Sequence, residues 1–555
     1  MEKRLIAAII LSVLVLLGYQ LLFVKPKTEV EAQSATSAVQ PPPPPALESG
    51  RKPPAAAAEP RAQEPAPEAV RPAVPEAGAI GAEYEEEIEV DTPLYSAVWS
   101  NKGGVLRSWK LKEFKNDRKE DLELVSALAA ETGQYPFSLS TDDPAVAAEL
   151  NSALFRAEPG RLTLGQGQDR ELKFAYSDGK SLRAEKTYRF DAGTYQMEID
   201  VRVWKDGQEI APYLLWGPGI GNPTPEEMKH SYSAARGAAV FTGGKVYRMD
   251  ERKYKPEQSS YNFVTWAAFE DNYFAAIFVP PAQKGQAAFL KEAVGEQGAY
   301  FLAVNDPRAA YIGPKSTDLL RSFGHDTRRI VNFGIFGSIA EILLAVVKFF
   351  HGLVPNWGLD IILLTIVIKI IFFPLTWSST KSMARMAELQ PKIKALRAKY
   401  KKAKTDIAQR RQMNEEMMKL YKEHGVNPAG GCLPLLIQLP VFWGVFRMLV
   451  VSVDFRHAPF IFWIQDLSMR DPYYVTPVLM GATQFISQKM TPTSADPSQA
   501  RMMLIMPVIM TIFFMNFQSG LVLYWLTTNV LQIGQQALMN RWMAKQKKEA
   551  NVKRR

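Results

Sequence analysis

The apolar run LDIILLTIVIKIIFFPLT, from Leu359 to Thr376, constrains this chain more than any other stretch. As a helix it is long enough to cross the hydrocarbon core of a bilayer. Lys369 sits inside it. Thr365 lies four residues earlier, so helical spacing puts the hydroxyl and the ammonium on one face. An ionisable group inside a span is costly and marks a functional site by default. The competing reading is that Lys369 snorkels to the headgroups. It stands roughly 15 Å from the start of the run, at 1.5 Å per residue, which allows either.

With 555 residues the chain should hold more than one folding unit. Its hydrophobic fraction of 47% is ordinary for a soluble protein, but the long apolar runs gather at the N-terminal end and in the last two hundred or so residues. That is the profile of a membrane protein with a large soluble domain. The net charge of +9 comes from basic residues clustered between the apolar runs, so membrane topology explains it before nucleic acid does. Cys432 is the single cysteine, which excludes an intramolecular disulfide and a cysteine-based zinc site. His230, His325, His351, His424 and His457 show no ligand spacing. No metal or cofactor is expected.

Residues 1–24 read as an uncleaved signal anchor. Lys3 and Arg4 precede an apolar run too long for a cleavable signal peptide, and Lys25 and Pro26 come directly after it. The positive-inside rule leaves the N-terminus in the cytoplasm and exports the chain beyond the anchor. Residues 25–82 are rich in Pro, Ala and Glu, with the run Pro41–Pro45, and cannot bury a core. They read as a disordered, partly polyproline-extended tether.

Residues 83–330 carry a β pattern. Tyr195, Met197, Ile199, Val201 and Val203 alternate with Gln196, Glu198, Asp200 and Arg202, the period of a half-buried antiparallel strand. Leu172, Phe174 and Tyr176 repeat it. Glycine turns recur at Ser177–Gly179, Asp191–Gly193 and Lys205–Gly207. So many strands predict a large sandwich. The region holds no nucleophile motif, phosphate loop or metal cluster. Over residues 335–354, Ile335, Ile339, Ile342, Val346, Phe349 and Leu353 form an apolar stripe opposite Ser338, Glu341 and Lys348, which predicts an amphipathic helix lying in the outer interface.

Beyond Pro374 the chain turns basic. Thirteen Lys and Arg stand against five Asp and Glu from Lys381 to Glu423, which makes this stretch cytoplasmic. Helical spacing of Met383, Met386, Leu389, Ile393 and Leu396, and of Ile407, Met413, Met417 and Leu420, predicts a helical hairpin over 378–428. Four more apolar segments come next: Gly430–Val453, Asp471–Met490, Met502–Phe517 and Leu521–Ala537. Gln518, Ser519 and Gly520 alone would turn the last two into a hairpin. The tail 541–555 is basic. Counting alternately gives six spans, with both termini and the hairpin in the cytoplasm. Gln438, Thr483, Gln484, Ser487, Thr527, Thr528, Asn529 and Gln532 place polar groups in these spans. Interhelical hydrogen bonding is their default use. Together with Lys369 they predict a hydrated cavity.

The segments NPAGGCLPLLIQLPVFWGVFRML, DPYYVTPVLMGATQFISQKM and PSQARMMLIMPVIMTIFFMNFQSGLVLYWLTTN, with LQPKIKALRAKY and TIVIKIIFFPLT, closely resemble the YidC/Oxa/Alb family of membrane insertases in its Gram-negative form. The resemblance implies a polytopic α-helical membrane protein of six transmembrane helices with a periplasmic β-supersandwich. Five spans within 359–540 would enclose a hydrophilic groove open to the cytoplasm and to lipid. Lys369 falls where the family carries its groove cation, usually Arg, so the charge is kept and the bidentate fork is lost. Thr365, Leu439, Phe442 and Trp525, the last usually Tyr, fall on groove or substrate-contact positions. Gln438 and Thr528 join them as polar residues of neighbouring spans. Lys392, Lys394, Arg397, Lys401 and Lys402 fall in the loop that recruits substrate.

The activity implied is insertion of nascent membrane proteins into the bilayer of the bacterial inner membrane, without covalent chemistry. The partners implied are nascent membrane proteins, the ribosome, subunits of the Sec translocon, the signal recognition particle and its receptor, and the lipid bilayer. A secondary transporter or channel would also need a charge in a bundle, but no internal repeat of spans supports it. A sugar-active enzyme held by its anchor would need a catalytic constellation that the β region does not display.

Overall fold

The computed structural model describes residues 78–222, 236–256, 259–294, 297–400, 406–425, 433–491 and 497–553. The chain divides into two units, Met1–Ala73 and Val74–Arg555. Every described residue belongs to the second. The signal anchor and nearly all of the tether expected over 25–82 lie outside the described residues.

Alternation builds the first half. In strand Gln196–Lys205, Met197, Ile199, Val201 and Val203 are buried while Glu198 and Arg202 face out. This strand pairs antiparallel with Leu182–Asp191, which pairs in turn with Asp169–Ser177. The connections are the glycine turns expected from the sequence. Asp206 and Gly207 both take positive φ, 52° and 76°, and join Lys205 to Gln208 as the two central residues of a tight hairpin. At Asp178 a single carboxylate oxygen accepts from the backbone N–H of Lys180, Ser181 and Leu182. The strands form one ten-stranded and two five-stranded sheets among the described residues.

Aromatic side chains fill the space between sheets. Trp99, from one five-stranded sheet, meets Tyr188 of the large sheet with ring centroids 4.4 Å apart. Trp216 and Phe289, from the other, meet Phe278 and Phe269 of the large sheet at 6.0 and 5.8 Å. Both smaller sheets therefore pack on the large one, and the aromatics between them are core.

Eight helices of the C-terminal half matter here: α1 (Gly337–His351), α2 (Trp357–Glu388), α3 (Gln390–Lys399), α4 (Ile407–Glu423), α5 (Leu433–Val451), α6 (Val475–Met490), α7 (Pro497–Phe514) and α8 (Ser519–Lys553). Among the described residues only α2 is long and apolar enough to cross a bilayer by length and composition, and the apolar parts Ile437–Val451 and Leu504–Phe514 are shorter.

Several boundaries differ from the sequence reading. The expected end of the span at Thr376 and the start of the hairpin at 378 give way to one helix that runs through Pro374 to Glu388. The hairpin helices begin only at Gln390, where Pro391 occupies the first turn. Helix α8 starts at Ser519, inside the expected three-residue turn. The N–H groups of Ser519 and Gly520 are met by the carbonyls of Met469 and Leu467 at 2.7 and 2.9 Å, which satisfies a helix start that the sequence alone leaves orphaned. Helix α6 starts four residues after Asp471, whose Oδ2 accepts from Thr476 N at 2.7 Å. In α1 the protein-facing side is Ala340, Leu343, Leu344 and Val347. Four residues of the apolar stripe expected from the sequence, Ile335, Ile342, Phe349 and Leu353, point outward at 64–77% exposed, whereas Ile339 and Val346 pack against the core.

Candidate functional site

Helix α2 begins at a defined cap. Asn356 Oδ1 accepts from Leu359 N at 3.0 Å, and Asp360 places a carboxylate in the positive first turn. Asp360 is a second ionisable residue of this run, and sequence reasoning does not single it out. It is fully buried and hydrogen-bonded to His351 Nδ1 at 2.8 Å, and His351 stacks on Trp357 with centroids 3.7 Å apart. At the other end Trp377 packs on Trp542 of α8, 5.3 Å away, with Lys381 Nζ over the Trp542 ring. Trp357 and Trp377 are twenty residues apart, roughly 30 Å of helix at 1.5 Å per residue. That length matches the thickness of a hydrocarbon core, at whose faces tryptophans are enriched.

Lys369 lies between these marks, on the side of α2 away from the exposed Ile370 and Ile371. Its Nζ donates to Gln532 Oε1 of α8 at 2.9 Å. Among the described residues no carboxylate pairs with it. The side chain reaches sideways to α8. The sequence marks Gln532 as a polar span residue; the structure makes it a member of the site.

Helix α8 sets out further polar groups at helical spacing from Gln532. Tyr524, Thr528, Gln532 and Gln535 lie four, four and three residues apart. The Tyr524 hydroxyl faces both Thr528 and Gln438 of α5. Among the described residues, Gln535 Nε2 is buried without a hydrogen-bond partner, and the buried Tyr524 and Thr528 hydroxyls form no hydrogen bond of full geometry, only the looser approach of Tyr524 to Thr528 and to Gln438. Buried polar atoms left open in this way are sites for water or for a polar group of a ligand. A second α8 face, offset by one residue, is internally satisfied. There Asn529 Nδ2 donates to Met480 O of α6 at 3.1 Å and Asn540 Nδ2 to Met490 O at 3.2 Å.

The structure brings Lys369, Thr528 and Gln438 around this open face. Beside it, Phe442 meets Trp525 edge-on at 5.0 Å, and Phe514 of α7 meets Trp525 at 5.2 Å, so two expected contact residues form one aromatic wall. Leu439 is 37% exposed on the outer side of α5. Thr365 departs from expectation. It is fully buried and its hydroxyl donates to Ile361 O at 2.6 Å, one turn back in α2. Its hydroxyl is spent within the helix and does not join Lys369. Tyr524, like Asp360, is a residue that sequence reasoning misses. Its spacing of four from Thr528 and eight from Gln532 is the signal that could find it.

The basic hairpin is built separately. Leu389 and Ile393 are its buried residues, packed by Met386, Met417, Leu420 and Tyr421. Lys399 Nζ bonds Glu416 at 2.8 Å, and that hydrogen bond holds the Glu416 carboxyl below its ordinary value. Lys392 Nζ lies 2.9 Å from His424 Nε2. Lys394 and Arg397 are exposed, whereas Lys401 and Lys402 lie outside the described residues.

Two family models match in chain order. One, described as the YidC periplasmic domain, covers residues 87–346. The other, described as the 60Kd inner membrane protein, covers residues 349–547. The membrane protein insertase YidC of Syntrophus aciditrophicus is 36% identical over 573 residues, spanning 98% of this chain and 100% of that protein. The membrane protein insertase YidC of Geobacter metallireducens is 36% identical over 558 residues, spanning 98% of this chain and 99% of that protein. A sheet-rich half and a helical half that each match their own family model, in relatives aligned from end to end, make this chain a member of the YidC family of membrane protein insertases.

Proposed function

We propose that this protein inserts nascent membrane proteins into the bacterial inner membrane by offering their polar ends a short wet path beside Lys369. The observation that carries the reading is the half-buried ammonium midway along α2, bonded to a neutral amide and facing a stripe of open polar atoms. A carboxylate at the centre of a bilayer costs about 2.5–3.5 kcal/mol on insertion scales. A cation near its path offsets part of that. The apolar segment of the substrate leaves along α5 and α7, past the wall of Phe442, Trp525 and Phe514, and burial in lipid drives it at about 25 cal/mol per Å². A membrane potential positive outside adds about 2.3 kcal/mol per negative charge per 100 mV for an exported acidic tail.

In this reading α2 and α5 to α8 are five spans and residues 1–24 a sixth. Both termini and the α3–α4 hairpin are cytoplasmic, and the sheet-rich half is a periplasmic β-supersandwich. The match to a periplasmic-domain model and the basic hairpin support this arrangement. Lys392, Lys394, Arg397, Lys401 and Lys402 give the hairpin a docking face for ribosome, signal recognition particle and its receptor, and Sec subunits complete the assembly.

The test is insertion by purified protein in liposomes. Lys369→Arg keeps insertion. Lys369→Ala slows substrates with acidic tails by about tenfold if the cation offsets about 1.4 kcal/mol, and leaves neutral-tailed ones little changed. Insertion of an acidic-tailed substrate at wild-type rate by the Ala variant sinks the charge model.

A further inference from the structure

The turn between α5 and α6 contains the seven residues APFIFWI, Ala458 to Ile464, without one polar side chain other than the Trp463 indole. Turns that face water use Gly, Asn, Asp and Ser. This one also satisfies its backbone from within the protein. Phe460 N donates to Ile464 O at 2.9 Å and Ile464 N to Ile461 O at 3.2 Å. The Phe460 carbonyl accepts from Asn356 Nδ2 at 3.1 Å, and the Phe462 carbonyl from Gln465 Nε2 at 2.7 Å. Carbonyls taken up by side chains are what a loop needs where water is scarce.

The turn is also fixed in place. Asn356 is the residue that caps α2, so the bond to Phe460 holds the turn at the head of that helix. The Phe460 ring lies so close over Gly358 that a Cβ there would come within 2.1 Å of it. Trp463 Nε1 donates to the buried Asp471 at 3.0 Å. Held this way, Phe462 takes φ 53° and is 79% exposed, with Ile461 46% exposed beside it. A bulky residue in the left-handed region is costly, and here the conformation projects the ring outward.

We propose that Ile461 and Phe462 form a rigid anchor seated in the outer leaflet at the head of α2. Lipid is the occupant because the turn is tied to the head of α2 through Asn356 and Gly358, where apolar side chains of α2 and at the end of α1 are themselves exposed. Leu359, next to Gly358, is 40% exposed, and Phe349 in the last turn of α1 and Leu353 just beyond it are 66% and 68% exposed. The anchor fixes the depth of the α2 head and with it the depth of Lys369. The inference rests on reading α2 as a span.

Single nitroxide labels in a Cys432→Ser background, in phospholipid nanodiscs, test it. The labelled sites are 462, Ile370 as the lipid reference, and Phe263, 73% exposed on the sheet-rich half, as the water reference. Collision with oxygen is compared with collision with a water-soluble nickel chelate. At 462 the oxygen-to-nickel ratio is several-fold above that at 263. A ratio at 462 equal to that at 263, with 370 in lipid, overturns the anchor. Protection of 462 from both reagents means a protein covers it, and overturns it equally. A water-like ratio at 370 instead brings down the reading of α2 as a span.

Discussion

Two lysines face the same physical problem in different ways. Lys369 keeps one amide partner and stays partly open, which leaves donors for a substrate. Lys186, inside the sheet-rich half, is fully buried and donates to the carbonyls of Gly103, Gly104 and Phe137 at 2.6, 3.3 and 2.9 Å. No carboxylate joins these three acceptors among the described residues. Burial pushes the ammonium down to about 7 from its usual 10.5. Below about pH 7 both folded and unfolded chains hold the proton, and the cost of the buried charge is fully present. Above it the folded chain releases the proton first, so this group makes stability rise with pH until the unfolded lysine also titrates. Lys186→Met removes that rise. The stability difference, wild type minus variant, climbs between pH 7 and 9 with a slope approaching about 1.4 kcal/mol per unit. Denaturant titration of the full chain in detergent, monitored by near-UV dichroism, reads it, and parallel pH profiles would refute it.

At the scale of elements, small residues decide how closely helices approach. A Cβ on Gly481 of α6 would stand 1.9 Å from Thr511 Oγ1 of α7. Gly481→Ala therefore overpacks the α6–α7 contact at about 1–3 kcal/mol, and Thr511→Ala, which removes the offending atom, restores much of the loss in the double variant. Thermal melting in detergent shows this as non-additivity; additive losses would place the strain elsewhere. This crossing is not legible in the sequence, because Gly481 lies in an apolar run whose partner is thirty residues away. Legible features are those that local spacing controls. The alternation at Met197–Val203, the turn at Asp206–Gly207 and the hairpin core at Leu389–Ile393 all come from period and turn chemistry. Lys369 stands out because charge in an apolar run is rare. Its partner Gln532 does not, since 163 residues separate them and any of several span amides fits equally well. Thr365 misleads for a related reason: sharing a helix face with Lys369 does not say whether a hydroxyl is already bonded to its own backbone.

Over the whole molecule, the two halves are joined by a polar seam. Glu270 is buried at the edge of the large sheet's strand Val264–Glu270, and it pairs with Lys315 at 2.8 Å and Arg248 at 3.0 Å. Arg248 also donates to the carbonyl of Ile330 at 2.7 Å, on the segment leading to α1. Arg447 of α5 bonds the carbonyl of Asn332, and Asn272 Nδ2 donates to Val450 O at the end of α5, 2.9 Å away. Arg456 reaches Lys115 O at 2.9 Å from the helical side. Glu270 thus neutralises Arg248, which holds the connector to α1, and the buried Lys315 behind it. Glu270→Gln keeps the shape and removes the charge, leaving Lys315 buried without its counter-ion. Breaking a buried pair from one side costs about 3–5 kcal/mol. Because Arg248 also holds Ile330, two residues before the Asn332 carbonyl that Arg447 of α5 bonds, part of that cost falls on the connector between the halves. Calorimetry of the full chain in detergent should then show the sheet-rich half melting earlier and apart from the helical half. Arg189→Ala, which breaks an exposed pair with Glu171, leaves the melting where it is. If Glu270→Gln lowers both transitions together, the halves are coupled through other contacts instead, such as the Arg456 guanidinium over the Phe274 ring.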